Sequence, residues 1–311
     1  MNFELSEEQL AVRDAARDFA QNVLKPGVIE RDETQTFPKE EVRQLAELGF
    51  MGMMVDPKYG GSGMDAVSYV LAMEEISKID ASVSVCMSVN NSLVCWGLEE
   101  YGSEEQKQKY LVPLASGEKI GAFCLSEPEA GSDATSQRTT AIDMGDHYLL
   151  NGTKNWITNG SSASTYLVIA QTDVEKKHKG INAFIIEKGM EGFMIGAKEN
   201  KLGIRGSDTH TLMFQDVKVP KANRIGEDGF GFKFAMKTLS GGRIGIASQA
   251  LGIASGAMEL ALAYSKERKA FGKEISKHQA IAFKLADMAT EIEAARLLCL
   301  KAAWLKDNNQ D

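Results

Sequence analysis

Two short stretches carry side chains whose types and spacing suit chemistry. FCLSEPEAGSDA, Phe123 to Ala134, leaves a strand-like run and offers backbone N–H groups and two hydroxyls around Pro128 and Gly131, together with Glu127, Glu129 and Asp133. Three carboxylates would repel a phosphate but suit a polar loop over a ring system; the same residues also describe a plain polar loop after a strand. NWITNG, Asn155 to Gly160, sets an indole, an apolar residue and a hydroxyl on successive positions. Trp156, Ile157 and Thr158 can flank a planar heterocycle and give it one hydrogen bond, or be a core tryptophan beside a turn threonine.

Other chemical readings are weaker. YGGSGMD follows a helical pattern, and GEDGFGFKF lacks both a preceding strand and the G-x-G-x-x-G spacing, so neither is a dinucleotide fingerprint. Cys86, Cys95, Cys124 and Cys299 are widely spaced with no C-x-x-C pair, and His147, His178, His210 and His278 have no ligand spacing. They read as buried thiols and ordinary histidines, with no metal site. The 35 Lys and Arg against 43 Asp and Glu give a net charge of -8. That balance argues against nucleic acid or an anionic membrane as the main partner and leaves small anionic ligands open. No uninterrupted apolar 20-mer occurs, and the acidic start MNFELSEEQLAVRDAARDFA lacks the basic-then-apolar order of a signal peptide. The expectation is a soluble cytoplasmic protein without membrane insertion.

The elements that must position these loops fall into three blocks. With 43% hydrophobic residues in 311, the chain can bury the cores of two or three domains. Residues 1–118 read as helices. In LSEEQL, Ser6 caps with Gln9 while Leu5 and Leu10 form a staple; Ser103 and Gln106 repeat the device, and FPKEEVRQLAELG has Pro38 at a helix entrance and Gly49 at its exit. SVSVCMSVNNSLVCWGLEE predicts a central helix. Over 119–228 the period shortens to two, with an Asn-Gly turn in HYLLNGTKNWITNG and short runs TYLVIAQTD, INAFIIEK and HTLMFQDVKVP, which predicts an antiparallel sheet or barrel. Over 229–311 the helical period returns. Ile246, Ala250, Ile253, Ala257, Leu260 and Tyr264 form one stripe, and Gly245, Ser248, Gly252 and Ser255 a second face small enough for another backbone or a flat ligand to come close. Ile281, Leu285, Met288, Ile292, Ala295, Cys299 and Ala302 line the next helix. Two such helices cannot close a core alone, so a third and fourth are expected from later in the chain or from another subunit.

FCLSEPEAGSD, LNGTKNWITNG, KLGIRGSDTHTLMFQDVKVP, GRIGIASQALGIASGAMELALAYSKERKAFGK and HQAIAFKLADMATEIEAARLL, in this order, resemble an acyl-CoA dehydrogenase of the short-chain, butyryl-CoA type. The resemblance implies a multidomain α+β fold: an N-terminal helical domain, a middle antiparallel β domain and a C-terminal helical bundle. It implies FAD held between the last two domains and a homo-oligomer, commonly a tetramer. On the matching positions, it puts Phe123, Cys124, Leu125, Ser126 and Ser132 in the flavin and substrate loop, Ser132 also facing acyl-CoA. Trp156, Ile157 and Thr158 match the residues flanking the ring, and Arg268, Phe271 and Gln279 match those reaching a neighbouring subunit's FAD. A guanidinium suits a pyrophosphate because its fork makes paired, charge-assisted bonds. Ser240, Gly241, Gly242 and Arg243 match the acyl-CoA contact segment, with Ser240 where relatives often carry Asp.

The implied reaction is α,β-dehydrogenation of an acyl-CoA thioester to the trans-2-enoyl-CoA, electrons passing to an electron-transfer flavoprotein. Alternatives of the same resemblance are an acyl-CoA oxidase, a glutaryl-CoA-type dehydrogenase, a nitroalkane oxidase, or a remnant that binds FAD or another subunit without turnover. In short-chain relatives the base is a Glu in a Y-E-G-T-like segment, absent from these residues. The long-chain position for it is Gly242 here. The expectation is therefore a truncated C-terminal domain, with the catalytic Glu beyond Asp311, no catalytic residue within the chain and no activity.

Overall fold

The computed structural model describes residues 4–310; Met1–Phe3 and Asp311, on which the expected truncation turns, lie outside the described residues. The chain divides into two compact units. One comprises the chain up to Ile29, Asp65–Ser84 and the chain from Ile244; the other comprises Glu30–Met64 and Val85–Arg243.

The helices before the sheet are α1 (Glu7–Phe19), α2 (Val28–Thr34), α3 (Lys39–Glu47), α4 (Ala66–Ser77), α5 (Ala81–Ser88), α6 (Trp96–Tyr101), α7 (Glu104–Gln106) and α8 (Val112–Ala115). Both predicted capping boxes form. Ser6 Oγ accepts from Gln9 N at 3.1 Å while Gln9 returns a bond to Ser6 N at 3.0 Å, and Ser103 and Gln106 do the same at 3.2 and 3.1 Å. α3 starts after Pro38 and is followed by Gly49 at φ +76°. Ala81–Tyr101 is the expected central helix, running through a widened turn at Val89–Cys95. It and Gly231–Glu267 match a membrane span in length and mean hydropathy, 1.2 and 1.3, but 78% of the apolar stretch of the first is buried inside the protein.

The sheet is built from β1 (Gly121–Cys124), β2 (Thr140–Asp143), β3 (His147–Thr158), β4 (Thr165–Gln171), β5 (Ile181–Glu187), β6 (Phe193–Lys198), β7 (Thr209–Pro220) and β8 (Arg224–Ile225). Its order is β6-β7-β3-β2-β4-β5-β8, with β1 paired to β4. Most pairs are antiparallel, as the period-two runs predict; β1 runs parallel to β4. β4 is buried along its whole length because it serves two cores. Leu167 and Ile169 pack with Val94, Leu98, Leu111 and Phe234 of the helices, while Tyr166, Val168 and Ala170 pack with Leu150, Ile157, Phe214 and Val219 of the sheet. One Asn-Gly expectation is corrected. Asn159 and Gly160 do turn the chain towards β4, but Asn151-Gly152 lies inside the continuous β3, opposite a bulge at Gln215-Asp216 of β7. Gly152 sits at φ +146°, and a Cβ there would lie 2.5 Å from Thr139 Oγ1.

After the sheet, a short hairpin of β9 (Lys269–Ala270) and β10 (Lys273–Glu274) joins α9 (Gly231–Glu267) to α10 (Gln279–Asp307). The expectation of an incomplete C-terminal bundle is corrected here. α4 and α1, from early in the chain, supply the missing third and fourth helices. The small-residue face of α9 is the one that packs: a Cβ at Gly252 would lie 2.5 Å from Glu74 O, so the α4 backbone comes as close as glycine allows. Arg296 of α10 reaches Glu74 at 2.8 Å, and Asp307 accepts from Ala66 N at 2.7 Å and Val67 N at 3.2 Å. Cys299 and Ala303 are buried, and Ile281, Leu285, Ile292 and Ala295 half-buried. The predicted stripe of α9 faces outward instead, with Ile246, Ile253, Leu260 and Tyr264 exposed.

Candidate functional site

The loop after β1 and the far end of β3, separated in sequence, are stitched together. Phe123 and Cys124 point into the two cores, so from those positions only the backbone is available to a ligand. Leu125 and Ser126 emerge half-buried. Lys154 Nζ of β3 donates to Leu125 O at 3.0 Å, and the next residue, Asn155, donates its N–H to Ser126 O at 2.9 Å. Lys154 pairs with Glu127 at 2.7 Å, and both are buried. Burial pushes the Lys154 ammonium down, an effect Glu127 offsets in part. For Glu127, burial acts upward, but Lys154 and the Arg138 N–H outweigh it and hold the carboxyl below its ordinary range.

Past Lys154 the register of β3 against β7 slips, and Trp156 takes φ +57°. Strict alternation would bury Trp156 on the side of Lys154; the bulge turns the indole outward, 55% exposed, and sends Ile157 into the core. That geometry removes the core-tryptophan reading. It costs on the order of 1–3 kcal/mol, the price of strain at a bulky residue in the left-handed region. The following turn is pinned by Asp208, whose carboxylate accepts from Ser161 N at 3.0 Å and Ser162 N at 2.5 Å. On either side of Trp156 along the chain are the half-buried Thr158 and Asn155, whose buried carboxamide oxygen has no partner among the described residues. An exposed indole, a hydroxyl and an orphan acceptor fit an aromatic ring carrying N–H and C=O groups.

The remaining expected residues fall in two places. Ser132 is exposed at the tip of the loop after β1, next to Asp133, which the Ser136 and Thr135 hydroxyls hold below its ordinary range. Ser240 to Arg243 lie within α9; Gly242 is buried, and a Cβ there would sit 2.6 Å from Leu93 Cδ2. Arg243 is exposed and reaches Ser240 Oγ at 3.4 Å. Arg268, Phe271 and Gln279 lie before, at the tip of and after the β9–β10 hairpin. Phe271 and Gly272 both have positive φ, the signature of a two-residue type I′ turn. Phe271 is 96% exposed and meets His278 edge-on at 6.0 Å, beside Gln279 at the start of α10.

Sequence models of the N-terminal, middle and C-terminal domains of acyl-CoA dehydrogenases match residues 6–118, 122–217 and 229–311. The chain belongs to the acyl-CoA dehydrogenase family. It is 54% identical to the short-chain-specific acyl-CoA dehydrogenase of Clostridium acetobutylicum over 98% of this chain and 81% of that one. It is 50% identical to the human mitochondrial short-chain enzyme over 99% and 74%. Among solved structures, butyryl-CoA dehydrogenase from Megasphaera elsdenii superimposes with a TM-score of 0.98, at 50% identity over 100% of this chain and 82% of that one. A chain from work on the electron transferring flavoprotein of Acidaminococcus fermentans matches with the same figures. PigA, solved with FAD and proline, matches at 30% identity and a TM-score of 0.96, over 100% and 82%. FAD is the cofactor of this acyl-CoA dehydrogenase.

These findings overturn three expectations. The similarity runs through 98–100% of the chain, and the chain from Ile244 packs with α1 and α4 in one compact unit, so the reading of an inactive chain with an incomplete bundle is set aside. The chain spans 74–82% of the length of the curated relatives it matches. The cytoplasmic expectation is likewise corrected, since the human, bovine and mouse relatives are mitochondrial by name. Sequence reasoning also passed over Lys154. Its signal was parity: Lys154 shares the inward phase of Tyr148 and Leu150, where a lysine needs a buried counter-charge.

Proposed function

We propose that Leu125, Ser126, Trp156 and Thr158 hold the flavin ring of an enzyme that converts short, straight acyl-CoA thioesters to trans-2-enoyl-CoA. The observation that carries this reading is the stitching of the two loops around an outward-turned Trp156. FAD held there would supply the acceptor for the β hydrogen and a route for the electrons to an electron-transfer flavoprotein. The chain's part is to orient. Trp156 offers a flat apolar face, the Thr158 and Ser126 hydroxyls offer donors, and Ser132 with Ser240 to Arg243 contacts the acyl-CoA. The carboxylates of the loop are engaged, Glu127 by Lys154, Glu129 by Arg138 and Asp133 by its neighbouring hydroxyls, and none is assigned an acid–base role.

Arg268, Phe271 and Gln279 serve the FAD of a neighbouring subunit. An exposed aromatic at a strained hairpin tip and the exposed apolar stripe of α9 suit a homo-oligomer. The division into 1–118, 119–228 and 229–311 follows the same reading.

Purified protein should show a flavin spectrum that Trp156→Ala weakens and that bleaches anaerobically with butyryl-CoA. Colourless protein that takes up no added FAD overturns the site. Rates across C4, C6, C8 and isovaleryl-CoA test the substrate, where one methylene changes discrimination by about 1–3 kcal/mol; a maximum at C8 overturns the short-chain assignment.

A further inference from the structure

Lys154 and Glu127 lie beneath the flavin-facing loops. Lys154 Nζ meets three acceptors, Glu127 Oε1 at 2.7 Å, Leu125 O at 3.0 Å and Gln137 Oε1 at 3.3 Å. Three acceptors match the three donors of an ammonium, whereas a neutral amine would turn its lone pair on one of them. Glu127 in turn accepts from Arg138 N at 2.5 Å and Thr139 N at 3.1 Å, so both its oxygens are held. A buried ion pair is a weak source of stability, because desolvating both charges offsets their attraction; an apolar pair of similar volume commonly does as well or better.

Its position suggests another use. The ammonium sits on the carbonyl of the peptide joining Leu125 to Ser126, and a carbonyl bonded to a cation makes the N–H of its own peptide a stronger donor. Among the described residues, the Ser126 N–H has no acceptor. The strand that carries Lys154 bonds Ser126 O through Asn155 and turns Trp156 outward one residue later.

We propose that Lys154 and Glu127 are a positioning pair for the flavin. Lys154 polarises the Leu125–Ser126 peptide toward the ring and fixes Ser126 and Trp156 in one rigid piece, while Glu127 limits the positive potential that reaches the cofactor. This rests on the ring site proposed above. It predicts opposite signs for two substitutions, because a positive charge near the ring favours the electron-rich, reduced flavin over the oxidised one.

The test is the reduction potential of the FAD-loaded enzyme, read by dye-coupled titration beside the visible spectrum. Lys154→Met should shift the flavin equilibrium at least tenfold toward the oxidised form, about 30 mV for a two-electron couple. Glu127→Gln, nearly isosteric, should shift it the other way. The double variant K154M/E127Q removes both charges and should recover thermal stability, yet it should keep the altered spectrum and a lowered potential. A folded double variant with the potential and spectrum of the parent would show a pin with no reach to the cofactor and overturn the proposal, as would a Glu127→Gln potential that falls or stays unchanged. Failure of every form, parent included, to bind FAD would instead sink the ring site itself.

Discussion

Trp156 and Phe271 are both aromatic residues held at positive φ, at +57° and +50°, and both are exposed. They differ in what stands behind them. Trp156 rides on a strand whose neighbouring residues are tied down by a buried ion pair, a carbonyl clamp and the Asp208 carboxylate. Phe271 sits at the tip of a hairpin of two residues per strand, with one edge-on contact to His278 and solvent over almost all of its surface. The ring site proposed at Trp156 is braced from within, so its geometry does not depend on a ligand. A hairpin tip that bears strain in the open is explained by what it contacts in an assembly.

The sharpest way to break this comparison is to remove the brace. Lys154→Met leaves the Glu127 carboxylate buried without its cation and should lower unfolding free energy by about 3–5 kcal/mol in urea titration. K154M/E127Q, which leaves no unpaired charge, should regain most of that. A loss below 1 kcal/mol for the single variant would mean that water reaches Glu127 and that the site is not braced as described.

The same carboxylate sharpens the comparison through pH. Because its folded value lies below the ordinary range near 4.3, its contribution is fully present above that value and is lost as pH falls through the folded one. The acid limb of stability should therefore flatten in Glu127→Gln. An unchanged acid limb would remove Glu127 from it.

The contrast between the two aromatics also marks what was legible in the residues. The capping boxes at Ser6 and Ser103 were plain because the bonds that make them are local, three residues apart. The loop and the NWITNG stretch could be named as chemical, but whether Trp156 faced in or out hung on a bulge, and one extra residue inverts every face that follows. Lys154 is easily passed over because lysine reads as surface, although its parity with Tyr148 and Leu150 points it inward. On α9, period alone gave two candidate faces and no means of ranking them. The glycines won because α4 needs backbone contact at Gly252, which Ile253 on the other face could not allow. The residues point to third and fourth helices from later in the chain or from another subunit, whereas α1 and α4 come from its beginning.

Phe271→Asn tests the open half of the comparison with two readouts of opposite sign. Asn-Gly is the favoured pair for a type I′ turn, so relief of the φ +50° strain should stabilise the protein by about 1 kcal/mol. Losing the ring should weaken FAD retention about tenfold, near the upper end of what one aromatic contact supplies. A variant that is more stable and holds FAD as well as the parent would leave Phe271 without a role at the cofactor.

The smallest expected effect lies at the end of α10. Asp307 is not a solvated tail residue: its carboxylate accepts from Ala66 N and Val67 N, the first amides of α4, while Asp65 caps Ser68 N. The first amides of a helix have no partner within it, so a carboxylate from elsewhere satisfies them and meets the positive end of the helix dipole. Burial pushes the Asp307 carboxyl up, and the two amides pull it back only in part. Since the folded group holds its proton more tightly than the unfolded one, the charged form is favoured less than its two bonds suggest. Asp307→Asn, which keeps an acceptor oxygen, should therefore cost less than Asp307→Ala. The alanine variant should lose about 1 kcal/mol, the usual worth of an N-terminal cap, read as a shift in the urea midpoint at unchanged slope. Flavin content should stay as in the parent, because Asp307 belongs to the packing of α10 on α4 and touches no residue proposed to meet the ring. If Asp307→Ala were as stable as the parent, the α4 amides would be satisfied by water and the docking of α10 would rest on Arg296 and Glu74.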